Sequence, residues 1–97
     1  QYAVLAADGF MSDIYTDFHH CSSYSVEEYD SGQTILTFIK DDGESNVYSF
    51  DPSRGVCMKN GAAKFKATRF SVDGTNNSLV VSIKLPDERL LDFNIFR

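Results

Sequence analysis

The side chains with the most reactive chemistry sit together at one point: Asp17, His19, His20 and Cys21. Histidine, cysteine and carboxylate are what a zinc ion or a cysteine nucleophile requires, provided that they converge in space. If this stretch is helical, adjacent residues point about 100° apart, so His19, His20 and Cys21 cannot all face one ion. Asp17 and Cys21, four residues apart, could. Two ligands do not make a site, and the rest of the chain holds no further histidine and only one further cysteine, Cys57. The cluster reads as a helix end. His19 and His20 in its last turn suit the negative pole of the helix dipole.

Two other stretches carry oxygen ligands. Asp41-Asp42-Gly43-Glu44 and Asp73-Gly74-Thr75-Asn76 have calcium-type side chains. Neither has the twelve-residue spacing with a terminal bidentate Glu that an EF-hand loop uses. Asp, Asn and Gly are also what hairpins demand, and these two are read as turns. Asn76-Asn77-Ser78 fits a glycosylation acceptor, a pattern too short to be specific. Gly-rich phosphate loops, G-x-S-x-G elbows and basic-aromatic stripes are missing from the sequence. The expectation is a protein that is not an enzyme and uses no metal or cofactor.

The elements that position these residues fall into two regimes. Ala3, Ala7, Phe10, Ile14 and Phe18, with Met11 beside them, recur at steps of three and four, one apolar stripe on an α-helix. The helix is expected over residues 1–22, stopping near His20–Ser23. From Gln33 onward the apolar period is two. Strands are expected at Thr34–Lys40, Asn46–Asp51, Val56–Lys59, Leu79–Leu85 and Leu91–Ile95, with a short extended stretch at Ser25–Tyr29. Between Ala62 and Val72, Phe65 and Ala67 share one parity while Phe70 and Val72 share the other. Such a switch predicts a bulge, or a strand that bends from one surface to another. The fold class is α+β: one N-terminal helix packed across an antiparallel meander, a single sheet, in a single domain spanning residues 1–97.

Composition narrows the partners. The chain has 97 residues, 42% hydrophobic and 13% aromatic, with nine basic against fourteen acidic residues for a net charge of −5. That is ordinary globular composition, and its acidity argues against nucleic acid or anionic lipid as a direct partner. Cys21 and Cys57 could close one disulfide, tying the helix end to the sheet, or remain two buried thiols. No apolar run is long enough to cross a membrane. The helical pattern is already under way at Tyr2 without a capping residue, so the helix is expected to continue upstream of Gln1.

Order and texture then carry a likeness. A helix with Asp13-Ile14 near its end leads to T-I-L-T-F (Thr34–Phe38). V-Y-S-F-D (Val47–Asp51) follows, then a glycine and a short strand starting at Val56. F-S-V-D-G (Phe70–Gly74), V-V-S-I-K-L (Val80–Leu85) and a terminal strand ending in Arg97 complete the run. This resembles the soluble region of type IV pilin-like proteins. It is most similar to minor pilins and pseudopilins of the J type in type II secretion and to competence pseudopilins. The resemblance implies a structural subunit of a filament at the cell surface, anchored in the inner membrane before assembly through an apolar helix upstream. Its partners would be other pilin or pseudopilin subunits, touched by the outward side of the helix and exposed loops. The rival expectation is a small acidic binding module, an immunity protein or inhibitor, that complements a basic partner.

Overall fold

The computed structural model describes residues 2–97, with side-chain surroundings from residue 4 onward. Helix α1 runs Tyr2–His20, 19 residues or about 28 Å at 1.5 Å per residue. Eight strands follow: β1 Cys21–Glu28, β2 Thr34–Lys40, β3 Ser45–Asp51, β4 Val56–Lys59, β5 Ala62–Lys66, β6 Arg69–Gly74, β7 Ser78–Lys84 and β8 Leu90–Phe96. The α+β class, with the helix packed on antiparallel strands, is as the periodicity predicts.

The single meander is not. The strands divide into a five-stranded sheet, β1-β2-β3-β4-β5, and a three-stranded sheet, β6-β7-β8. The division falls at Ala67-Thr68, inside the segment whose apolar parity switches. Phe65 and Ala67 are buried on one side of it, Phe70 and Val72 on the other. Alternation can keep only one face buried per sheet, so a chain that changes parity here changes sheet.

The helix boundary also moves. The chain passes from His20 straight into β1, which pairs with β2 from Cys21 to Glu28 with a register shift between Cys21 and Ser23. An eight-residue strand therefore replaces the helix tail at residues 21–22 and the short stretch expected at Ser25–Tyr29. Of these eight residues only Cys21, Tyr24 and Val26 are half-buried. Main-chain pairing with β2 holds an otherwise polar segment that shows little apolar period.

The core lies where α1 and both sheets meet. Ala7, Phe10, Met11, Ile14 and Phe18 of the helix are buried, as are Leu36, Phe38, Tyr48, Phe50, Cys57 and Phe65 of the larger sheet. The smaller sheet contributes Phe70, Val72, Leu79, Val81, Ile83 and Ile95. Phe10 is the hub. Its ring makes edge-on contacts with Tyr48 at 5.3 Å, Phe65 at 5.2 Å and Phe70 at 5.6 Å, thereby touching both sheets. Such geometry adds to burial because the positive edge of one ring meets the negative face of another.

The sheets are also clasped directly. The Tyr24 hydroxyl of β1 donates to the Thr75 carbonyl at 2.5 Å. Gly74 makes room for it, since a Cβ there would collide with that hydroxyl.

Candidate functional site

Helix α1 has two working sides; of the side chains singled out by their chemistry, Asp17 belongs to the inward one, while His19 and His20 stand at the helix end. Of the expected packing face, Ala7, Phe10, Met11, Ile14 and Phe18 are all buried. Ala3 lies outside the residues whose side chains are described.

Asp17 faces the five-stranded sheet, 7% exposed, and its Oδ2 accepts two hydrogen bonds. One comes from the Tyr48 hydroxyl at 2.5 Å, the other from Asn46 Nδ2 at 2.9 Å. The chain of bonds continues into the turn after β4. Asn60 Nδ2 donates to Asn46 Oδ1 at 3.1 Å, and Val47 N–H donates to Asn60 Oδ1 at 2.8 Å. Asn60 holds φ at 51°, a left-handed value that asparagine tolerates. One turn earlier on the helix, Asp13 pairs with Lys59 Nζ at 3.1 Å, and that ammonium lies 5.6 Å from the centre of the Tyr48 ring.

This network is a polar seam along the helix–sheet contact. A buried carboxylate costs free energy unless donors replace its water, and here two side-chain donors do so. Burial, and then the bond to Asp17, push the Tyr48 hydroxyl well above its ordinary pKa, so it stays protonated and donating. The arrangement fixes the helix against β3; it leaves no open coordination position on the carboxylate oxygen it uses.

Asp17 and Cys21 are not brought together as ligands. Cys21 Sγ turns back to the Phe18 carbonyl at 3.5 Å. Among the described residues no three of His, Cys, Asp and Glu converge to hold a metal. The bridge between Cys21 and Cys57 is not formed: both are free. Cys21 sits on β1 and Cys57 on β4, with β2 and β3 between. Three strand spacings are about 14 Å, whereas a disulfide spans Cα atoms up to about 7 Å apart. Cys57 is fully buried, and desolvation pushes its thiol up to about 12. It is a packing residue, not a nucleophile.

The histidines close the helix. His20 Nδ1 lies 2.8 Å from the Thr16 carbonyl and His19 Nδ1 2.8 Å from that of Tyr15, each four residues back. His19 goes further, its Nε2 reaching the Phe96 carbonyl at 2.8 Å and tying the helix end to the last strand. Beside it the Arg97 guanidinium lies over the Phe18 ring at 4.4 Å.

The acidic loops behave as turns. Gly43 takes φ 87° and donates to the Lys40 carbonyl at 3.0 Å, while Asp42 Oδ1 accepts from Glu44 N–H at 2.9 Å. Thr75 and Ser78 close the other loop through their side chains at 3.0 Å.

The outward side of α1 differs in kind. Leu5, Asp8, Ser12, Tyr15 and His19 recur at helical spacing, and Leu5 and Tyr15 stand 70% and 55% exposed. Sequence reasoning placed contact surfaces on this side without naming residues. The available signal was an apolar residue, Leu5, standing off the buried stripe. No described helix is long and apolar enough to cross a membrane. Compared with known proteins, the chain matches no family model, no curated protein and no solved structure.

Proposed function

We propose that the chain is the globular part of a type IV pilin-like filament subunit, a minor pilin or pseudopilin, acting by assembly rather than catalysis. The observation that carries this reading is the double use of α1. One side is committed to the core, while the other leaves Leu5 70% and Tyr15 55% exposed, Tyr15 resting against the His19 ring at 4.2 Å. A helix lying on an antiparallel domain and still presenting apolar side chains outward is suited to packing against a neighbour. The rest of the chemistry agrees: Asp17, His19, His20 and Cys57 are engaged in holding the fold. In this reading the partners are other pilin or pseudopilin subunits. The membrane would be reached through an apolar continuation of α1 ahead of Gln1, and the working location is a filament at the cell surface.

The test is the coding sequence upstream of Gln1. An apolar run of about twenty residues continuing the helix, preceded by a short charged leader, is the expected result. A cleavable secretory signal or a start codon immediately before Gln1 overturns it. The acidic binding module, an immunity protein or inhibitor, then takes its place.

A further inference from the structure

Two sheets have four edges, and they are treated differently. β6 packs against β1, β2 and β3, so the edges of β1 and β6 lie close to strands of the other sheet. β5 is short, follows a register shift against β4, and carries the exposed lysines Lys64 and Lys66. These are the usual guards against strand addition. β8 has none of them. It pairs with β7 in unbroken register over seven residues, contains neither lysine nor proline, and ends in Leu90 and Phe96, 57% and 69% exposed.

Its hydrogen-bonding phase is fixed at both ends. Leu85 N–H donates to the Arg89 carbonyl at 2.9 Å, and Arg97 N–H to the Asn77 carbonyl at 2.9 Å. Bonded pairs alternate along an antiparallel ladder, so Leu91, Phe93 and Ile95 bond to β7. The N–H and C=O groups of Leu90, Asp92 and Asn94 therefore face away from the sheet. Among the described residues, only Phe96 has its outward carbonyl met from within the fold, by His19.

Alongside this edge runs a groove of about 510 Å³ between β8 and α1. Met11, Tyr15, Phe93 and Ile95 give it apolar walls, and Asp8 and Asp92 stand at it. Asp92 accepts from Ser82 Oγ at 2.6 Å. Among the described residues neither carboxylate has a cationic partner.

We propose that this edge and groove take up an extended, basic segment of a partner chain as a fourth strand of the smaller sheet. The outward backbone groups of Leu90, Asp92 and Asn94 would bind the segment's main chain. Alternate apolar side chains would enter the groove, and lysine or arginine would answer Asp8 and Asp92. Charge decides against a second copy of this chain as occupant. Pairing β8 with itself brings two Asp8 and two Asp92 close together, while the flanking cations Arg89 and Arg97 are already engaged, by Asp87 and over the Phe18 ring. The inference does not depend on the filament reading, because a strand-accepting edge serves a filament subunit and a binding module alike.

The test uses the 97-residue chain, isotope-labelled, titrated with the peptide acetyl-Lys-Val-Lys-Val-Lys-Val-Lys-amide and with its Glu-for-Lys counterpart. The expected result is saturable binding of the lysine peptide only. Amide shifts should concentrate at Leu90, Asp92 and Asn94, and affinity should fall at least tenfold in Asp92→Lys and in Asp8→Lys. Both variants alter exposed side chains, and their own spectra verify folding. No saturation, equal binding of the glutamate peptide, or affinity indifferent to both variants would overturn the proposal. Concentration-dependent shifts along β8 without any peptide would overturn it too, in favour of self-pairing.

Discussion

The two sides of α1 are built from one helical period and do opposite things. Inward, Ala7, Phe10, Met11, Ile14 and Phe18 are all buried, and Asp17 among them accepts hydrogen bonds from Tyr48 and Asn46. Outward, Leu5 and Tyr15 lie open, and Asp8 makes no ion pair among the described residues. The difference teaches where the free energy of the fold is concentrated. It lies where one residue touches several elements, as Phe10 touches β3, β5 and β6. Apart from His19, which ties the helix end to β8, the outward side contributes little to folding.

That contrast can be broken from its strong end. Phe10→Ala should lower stability by about 3–5 kcal/mol and Ile14→Ala by about 2–5 kcal/mol, since both leave cavities among rings that cannot collapse to fill them. Urea midpoints measure this, and near-wild-type midpoints for both would remove the helix-on-sheet account. Asp17→Ala is the next largest. It leaves the buried Tyr48 hydroxyl without its acceptor, at a cost of roughly 1–3 kcal/mol. Tyr48→Phe should cost less, because Asn46 still donates to Asp17.

The inward side should also respond to alkali. Burial raises the Cys57 thiol from its ordinary 9.0 to about 12 in the folded chain. A raised pKa means that the folded state holds the proton more tightly than the unfolded chain. The contribution is then complete below pH 9.0 and lost as pH climbs through about 12. Tyr48, also raised, adds to the loss in the same direction. Urea midpoints should be level up to about pH 9 and decline above it, with a shallower decline in Cys57→Ala. A decline beginning near neutrality would contradict the assignment. Smallest of all, Leu5→Ala and Tyr15→Ser should move the midpoint by no more than about 0.5 kcal/mol.

What periodicity made legible was the helix, its buried face and the strands with clean alternation, because apolar side chains at steps of three and four or of two report one buried face. β7 and β8 are such strands, with Leu79, Val81 and Ile83 opposite Ile95, Phe93 and Leu91. The parity switch between Phe65 and Phe70 signalled a change of surface, yet whether that meant a bend or a second sheet depended on long-range packing. β1 was hidden for a different reason. Its Ser-Ser-Tyr-Ser run is held by backbone pairing, which leaves no apolar signature.

The candidate site was less legible still. Asp17 carries a recognisable carboxylate, but its partners lie 29 and 31 residues away. From sequence, Asp17 could serve as a ligand beside Cys21 but reads as part of a helix end, and nothing there names a hydrogen-bond partner for its carboxylate. The open edge of β8 rests on hydrogen-bond phase. That is set partly by Glu88, whose φ of 74° in the preceding turn is unusual for a glutamate. No pattern of side chains announces it.

The most direct measurement of the central claim, that one side of α1 folds the domain and the other joins it to neighbours, is cross-linking in the full-length chain. Leu5→Cys is introduced in a Cys21→Ser background, with Cys57 left in place because it is buried. Expressed in its own cell, this variant should yield disulfide-linked dimers on mild oxidation, through its one accessible thiol, while keeping the wild-type melting temperature. A chain that melts as wild type yet stays monomeric under the same oxidation would contradict the claim.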